Sequence, residues 1–209
     1  MRQGSLFDQG SGNGTEQRLD LPDADIRLIE HWLPLHDANH YFQILRQQLA
    51  WEQSVIQIYG KPTPIPRLNA WYGDPHCDYS YSGYQLPLHP WTEDLLALRA
   101  QLHQLLGISF NSVLANCYRN GHDSVAWHAD NEPELGPRPV IASISLGASR
   151  RFVLKHRRRK DIDPVTITLN HGALLVMAGE TQHQWLHALP KTRQAVGERI
   201  NLTFRLICR

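Results

Sequence analysis

The chain has 209 residues, of which 42% are hydrophobic, and a formal net charge of +1. That length suits one domain and a tail, and the near-neutral balance excludes a partner held by bulk charge, so any attraction to a polyanion must come from local patches. No apolar run approaches the roughly 18 residues of a membrane span.

Residues 1–18 read as a disordered tail, because Gly, Gln and Ser dominate and little can be buried. They lack the apolar core of a secretion signal. The folded domain is expected over 19–209, with a substrate-facing part at 19–110 and a core at 111–209. Asp37 reads as the cap of a helix running to Gln48, with Phe42, Leu45 and Leu49 on one face. Ser54–Tyr59 alternates like a strand, and Pro62, Pro64 and Pro66 then predict an extended loop. Thr92 predicts the cap of a second helix, with Leu95, Leu96, Leu98, Leu102 and Leu106 as its apolar side.

From Asn111 the pattern changes to short β-rich runs: Val113–Tyr118, Ile141–Leu146, Arg151–Lys155, Val165–Leu169, Ala173–Met177 and Arg199–Ile207. Helices followed by six strands predict an α+β fold, in which helices back an antiparallel barrel or double-sheet jelly roll. Cys77, Cys117 and Cys208 form no CxxC pair, which suits reduced thiols in a cytoplasm.

Six of the twelve histidines fall between His122 and His187. His128-Ala-Asp130 places an imidazole and a carboxylate on one face of an extended segment, where they can share a metal. His76-Cys-Asp78 has the same spacing, but lies in a Pro- and Tyr-rich stretch better suited to a substrate-facing surface. The third ligand comes from His183 or His187. The apolar setting of His187, between Trp185-Leu186 and Ala188-Leu189-Pro190, favours it. Two histidines and one carboxylate leave open positions on Fe(II).

Arg199-Ile-Asn-Leu-Thr-Phe-Arg205 alternates strictly, so Arg199, Asn201, Thr203 and Arg205 share a face. A solvent-facing polar stripe is one reading. The other is a clamp: six residues of strand span about 20 Å, and two arginines leaning inward leave a gap suited to a small dicarboxylate. Guanidinium forks match carboxylates. Asn116 and Tyr118, also two apart, can add hydrogen bonds.

Taken in order, Asn116-Cys-Tyr118, His128-Ala-Asp130, His187-Ala-Leu-Pro190 and Arg199–Arg205 resemble the signature of the AlkB family of nucleic-acid dioxygenases. The resemblance runs over about residues 20–207. It includes Pro139–Gly147, Phe152–His156 and His171–Leu175. Upstream, Tyr59-Gly-Lys61, Pro66-Arg67, Trp71–Asp74 and Tyr79–Gly83 resemble the branch that repairs duplex DNA.

This resemblance implies a double-stranded β-helix (jelly roll) backed by N-terminal helices. It implies Fe(II) on His128, Asp130 and His187. It implies 2-oxoglutarate held by Arg199 and Arg205 with help from Asn116, Tyr118, Asn201 and Thr203, and O2 as oxidant. The implied function is oxidative dealkylation of bases such as 1-methyladenine and 3-methylcytosine in double- or single-stranded DNA, with release of formaldehyde. An RNA or protein demethylase of the same superfamily is the alternative. A cupin-like metal module without catalysis is a third reading, against which the paired arginines argue.

A base in a duplex must be flipped out to reach a buried metal. Ile58-Tyr59-Gly60 resembles the family's hydrophobic finger, a wedge for the vacated stack. Tyr81 can stack on the flipped base opposite His128, and the resemblance puts Tyr79 and Glu132 at the base's polar edge. The basic run Lys155–Lys160, with Lys191, Arg193 and Arg67, is expected to neutralise phosphates. Asn131 departs from the pattern, since the duplex-acting branch can carry an acid there. In the tail, Gln3, Leu6 and Phe7 resemble the peptide by which many bacterial repair proteins dock on the sliding clamp.

Overall fold

The computed structural model describes residues 14–208 apart from 59, 76, 78, 79, 82 and 83; the side chains of Ile58, Ser80, Tyr81, Tyr84 and Gln85 also lie outside the description. The chain opens with β1 (Glu16–Leu19) and β2 (Asp25–Ile29), an antiparallel pair. Glu16–Arg18 thus belong to a strand rather than to the tail. α1 (Leu35–Gln48) begins two residues ahead of Asp37, which lies in its first turn and does not cap it. β3 (Val55–Ile58) and β4 (Lys61–Pro64) follow as a hairpin, then β5 (Leu68–Gly73). A small ribbon, β6 (Ser80–Tyr81) with β7 (Tyr84–Gln85), precedes β8 (Leu88–His89). α2 (Glu93–Leu106) is capped as its sequence predicts: Thr92 Oγ1 accepts from the Leu95 N–H at 3.3 Å, and Gly107 closes it at φ 68°. Leu95, Leu98 and Leu102 are buried, whereas Leu96 is exposed.

The loop expected at Pro62–Pro66 is in part strand β4. Pro62 and Pro64 pair with Gln57 and Val55 in a two-stranded ribbon. Their missing N–H groups face away from the partner there, a position in which proline costs the ladder nothing.

The remaining strands are β9 (Ser112–Tyr118), β10 (Val125–His128), β11 (Ile141–Gly147), β12 (Arg150–His156), β13 (Val165–Leu169), β14 (Leu174–Ala178), β15 (Trp185–Leu189) and β16 (Arg199–Arg205). A short helix, α3 (Thr181–Gln184), leads into β15. They complete two sheets: an eight-stranded one ordered β1-β2-β14-β11-β16-β9-β5-β8, and a four-stranded one ordered β10-β15-β12-β13. All these pairings are antiparallel except β5 with β8.

Alternation within strands divides the interior in two. Ala38, Leu45, Leu98 and Leu102 of the helices pack on Ala115, Ile144, Ile200, Leu202 and Phe204 of the large sheet. The other face of that sheet, with Trp71, Leu114, Ile141 and Leu175, packs on Phe152, Leu154, Leu169 and Trp185. This is the jelly roll backed by helices. The polar residues of β16 point into the space between the sheets, so the solvent-facing reading of that stripe is wrong: Arg199 and Arg205 are 1% and 2% exposed. Among the described residues no helix is long and apolar enough to cross a membrane.

Candidate metal and co-substrate site

β10 and β15 lie side by side with His128 opposite His187, and Asp130 follows two residues beyond the strand. Ligand atoms of His128, Asp130 and His187 all lie within 4.8 Å of one another. The two rings meet edge to face at 4.3 Å, and Phe152 stacks on His187 at 5.3 Å. His128 Nδ1 lies 2.8 Å from the Ala126 carbonyl. A carbonyl only accepts, so Nδ1 carries the proton and Nε2 keeps its lone pair for a ligand role. The Asp130 N–H donates to Gln182 Oε1 of α3 at 2.9 Å, which fixes the backbone where the carboxylate turns inward.

The electrostatics suit a cation. Burial alone would raise the Asp130 pKa, but the charges of Arg205, His187 and His128 outweigh it and bring it down to about 2. Burial, with repulsion from His128, lowers His187 to about 3 against the pull of Asp130. Near neutral pH the buried pair is therefore an ionised carboxylate and a neutral imidazole, the protonation states in which these groups bind metals. Two imidazoles and one carboxylate converging at this distance fit Fe(II) with open positions. His183 does not join them: its Nε2 lies 2.6 Å from the Pro137 carbonyl.

Beside the triad is a cavity of about 40 Å³ lined by Asn116, Tyr118, Asn201, Thr203 and both arginines. Arg199 Nη2 donates to Ser145 Oγ at 2.9 Å, and its guanidinium lies 5.3 Å from the Tyr118 ring centroid. Burial lowers its pKa to about 10, still charged at neutral pH. Arg199 Nε and Nη1 are buried with no hydrogen-bond partner among the described residues. A guanidinium edge left this way fits a carboxylate that the chain itself does not provide. Arg205 differs, for its Nη2 donates to Asp130 Oδ1 at 2.7 Å. Asn201 and Thr203 are tied locally: Asn201 Nδ2 donates to Ser143 Oγ at 2.7 Å, and Thr203 Oγ1 donates to Asn201 Oδ1 at 3.1 Å.

Arg67, expected at phosphates, is 5% exposed and donates to Asn116 Oδ1 at 2.8 Å and to the Ser124 carbonyl at 3.2 Å. It is a wall of the cavity, held inside by partners that only the folded chain assembles.

A larger cleft, about 550 Å³, opens between hairpin residues Ile56 and Ile65 and the outer side of the small sheet at Val153 and Ala188. His128 and Arg67 border both spaces, and Lys191 lies on the rim of the cleft. Gly60, at φ 75°, turns the hairpin. Tyr59, Tyr79, His76, Asp78 and the tail residues Gln3, Leu6 and Phe7 lie outside the described residues, as do the side chains of Ile58 and Tyr81. Glu132 borders neither space, although its Oε2 is buried without a hydrogen-bond partner among the described residues. Arg193 is exposed and also borders neither. In the basic run Arg159 pairs with Asp161 at 2.6 Å, and Lys155 Nζ sits 4.4 Å from the ring centroid of Trp127.

Sequence reasoning missed Trp127, Gln182 and Arg150. Arg150 donates to the carbonyls of Asp123 and Pro190, at 2.9 and 2.7 Å, and so joins the loops before β10 and after β15. Only Trp127 had a visible signal, its place directly before a ligand.

The 2OG-Fe(II) oxygenase superfamily model matches residues 25–205. The chain is 40% identical over 188 residues to alpha-ketoglutarate-dependent dioxygenase alkB homolog 3 of Bos taurus, covering 86% of this chain and 65% of that protein. It is 37% identical over 180 residues to DNA oxidative demethylase ALKBH2 of Homo sapiens, covering 82% of this chain and 69% of that one. It is 34% identical over 209 residues to the protein of the same name in Arabidopsis thaliana, covering 88% and 67%. The first of these relatives is spanned over slightly less than two thirds of its length. Among solved structures, that of OsALKBH1 superposes with a TM-score of 0.59 at 15% identity, over 86% of this chain and 97% of that one, which shows a shared fold.

Proposed function

Because the chain belongs to the 2OG-Fe(II) oxygenase superfamily, and within it to the AlkB family, we propose that it removes alkyl groups oxidatively from bases in DNA. The observation that carries this reading is the buried Arg199 edge, with two unpartnered nitrogens, in the same cavity as the His128–Asp130–His187 cluster. A bare metal module has no use for it. Names among the relatives, DNA oxidative demethylase above all, support the nucleic-acid substrate.

In this reading His128, Asp130 and His187 hold Fe(II), and Arg199 receives one carboxylate of 2-oxoglutarate. Arg205 steadies Asp130 and faces the other end of the co-substrate. Asn116, Tyr118, Asn201 and Thr203 close the walls. When bound, iron, 2-oxoglutarate and O2 supply hydroxylation of an N-alkyl carbon, after which the product loses formaldehyde. The buried walls keep water away, and the half-buried His128 is the face that the alkylated base meets from the cleft. Hairpin residues Ile58-Tyr59-Gly60 act as the wedge, with Tyr79 and Tyr81 around the base. Lys191 and Arg193 take phosphates. Free Cys117 and Cys208 suit a reducing cytoplasm.

Succinate release, measured with no substrate and with alkylated DNA, alkylated RNA or a methylated peptide, tests the proposal. Strongest stimulation by DNA is expected. Stimulation by RNA or peptide alone would move the protein to another substrate, and no 2-oxoglutarate turnover under any condition would leave a metal module.

A further inference from the structure

Among the described residues, Trp127 is the one aromatic among the exposed large hydrophobic side chains, with 42% of its surface open. Its position follows from its strand. Successive residues of β10 point to opposite faces, so the backbone that turns His128 towards Asp130 and His187 turns its neighbour outward. There Trp127 borders the 550 Å³ cleft. Lys155 Nζ lies 4.4 Å from its ring centroid, and Lys191 lies on the same rim. The cleft floor at Ile56, Val153 and Ala188 is apolar. Trp127 is in neither buried hydrophobic cluster of the core.

We propose that Trp127 is a stacking platform for an unpaired nucleobase next to the one being dealkylated, with Lys155 and Lys191 neutralising the flanking phosphates. The inference rests on the proposed action on nucleic acid and specifies its strand form. An aromatic face takes any base, and a cationic rim tracks the backbone, the combination by which proteins grip single strands. In a duplex the neighbouring bases are stacked on one another and offer no free face. Trp127 and His128 both border this cleft, so a strand lying in it can set one base on Trp127 and present its neighbour to His128. The cleft thus holds two handles. The hairpin serves paired DNA, and Trp127 serves unpaired strands.

The test is fluorescence anisotropy of a labelled, unmodified oligonucleotide, single-stranded and in duplex, titrated with the full chain. Trp127→Ala should weaken single-strand binding about tenfold, as expected for loss of one base–aromatic stack, and change duplex binding by less than about twofold. Trp127→Phe, which keeps a π-face, should restore most of the single-strand binding. Lys155→Gln should lower the salt dependence of single-strand binding by about one phosphate contact. Unchanged single-strand binding in Trp127→Ala, equal losses on both strand forms, or no rescue by phenylalanine would each overturn the platform. If the unaltered protein binds neither form, the nucleic-acid reading itself fails, which is a separate outcome.

Discussion

Arg199 and Arg205 are equivalent on the face of a strand and unequal in the folded site. Arg205 touches a metal-ligand carboxylate at 2.7 Å, whereas Arg199 touches Ser145 and Tyr118 and leaves two nitrogens for an incoming anion. Arg199→Ala should therefore raise the 2-oxoglutarate requirement roughly tenfold to a hundredfold and leave iron affinity alone, since a hydrogen bond to a charged group contributes about 1.5–3 kcal/mol. Arg205→Ala should weaken both, because Asp130 loses its largest stabilising charge. Anaerobic calorimetric titrations with Fe(II) and with 2-oxoglutarate check the split; identical profiles for the two variants would contradict it. His128→Ala, Asp130→Ala and His187→Ala should each lose iron binding and turnover, and His183→Ala should lose neither. Retained iron affinity in His187→Ala would sink the ligand set. The alternation in Arg199–Arg205 and the His-x-Asp spacing were legible because strand geometry converts sequence parity directly into facing direction. Arg67 was misread for the opposite reason: its partners, Asn116 and Ser124, come from other segments, and no local pattern announces a buried arginine.

At the scale of elements, the Thr92 cap and helical periodicity carried well, whereas the Asp37 cap and the short strands did not. The start of α2 was legible because Thr92 answers a local backbone demand there, whereas its close at Gly107 emerges from the structure. Thr92→Ala should cost about 1 kcal/mol, as usual for loss of an N-cap; urea unfolding measures it, and no change would mean that the Leu95 N–H finds another acceptor. β10 was missed because four residues give no clear alternation, and β4 because its prolines mimic a loop. The hairpin that β4 completes has a two-residue turn, with Gly60 at a positive φ. Short and two-stranded, it pairs with neither of the two main sheets, which suits a wedge. Tyr59→Ala should accordingly impair repair of duplex DNA far more than repair of single strands, whose bases are already unpaired. Side-by-side rates on the two substrates decide, and equal losses would remove the finger.

At the scale of the whole chain, the tail and the domain have separate tasks in our proposal. We propose that Gln3, Leu6 and Phe7 dock on the bacterial sliding clamp, the two apolar side chains filling a pocket of the partner. Deleting residues 1–10 should abolish clamp binding and leave repair of a free oligonucleotide intact. Binding unaffected by Leu6→Ala with Phe7→Ala would end that idea. The position of β16 has a further consequence. It is the last strand among the described residues, yet it lies in the interior of the large sheet, between β9 and β11. A chain emerging from the ribosome N-terminus first can therefore form hairpins and helices early, but its main sheet stays split until Arg205 is free to enter. Such long-range closure is slow, and the exposed edges of β9 and β11 are open to mispairing meanwhile. Because Arg205 also steadies Asp130, a chain clipped before β16 should hold iron less tightly than the intact one, which ties retention of the metal to completion of the sheet.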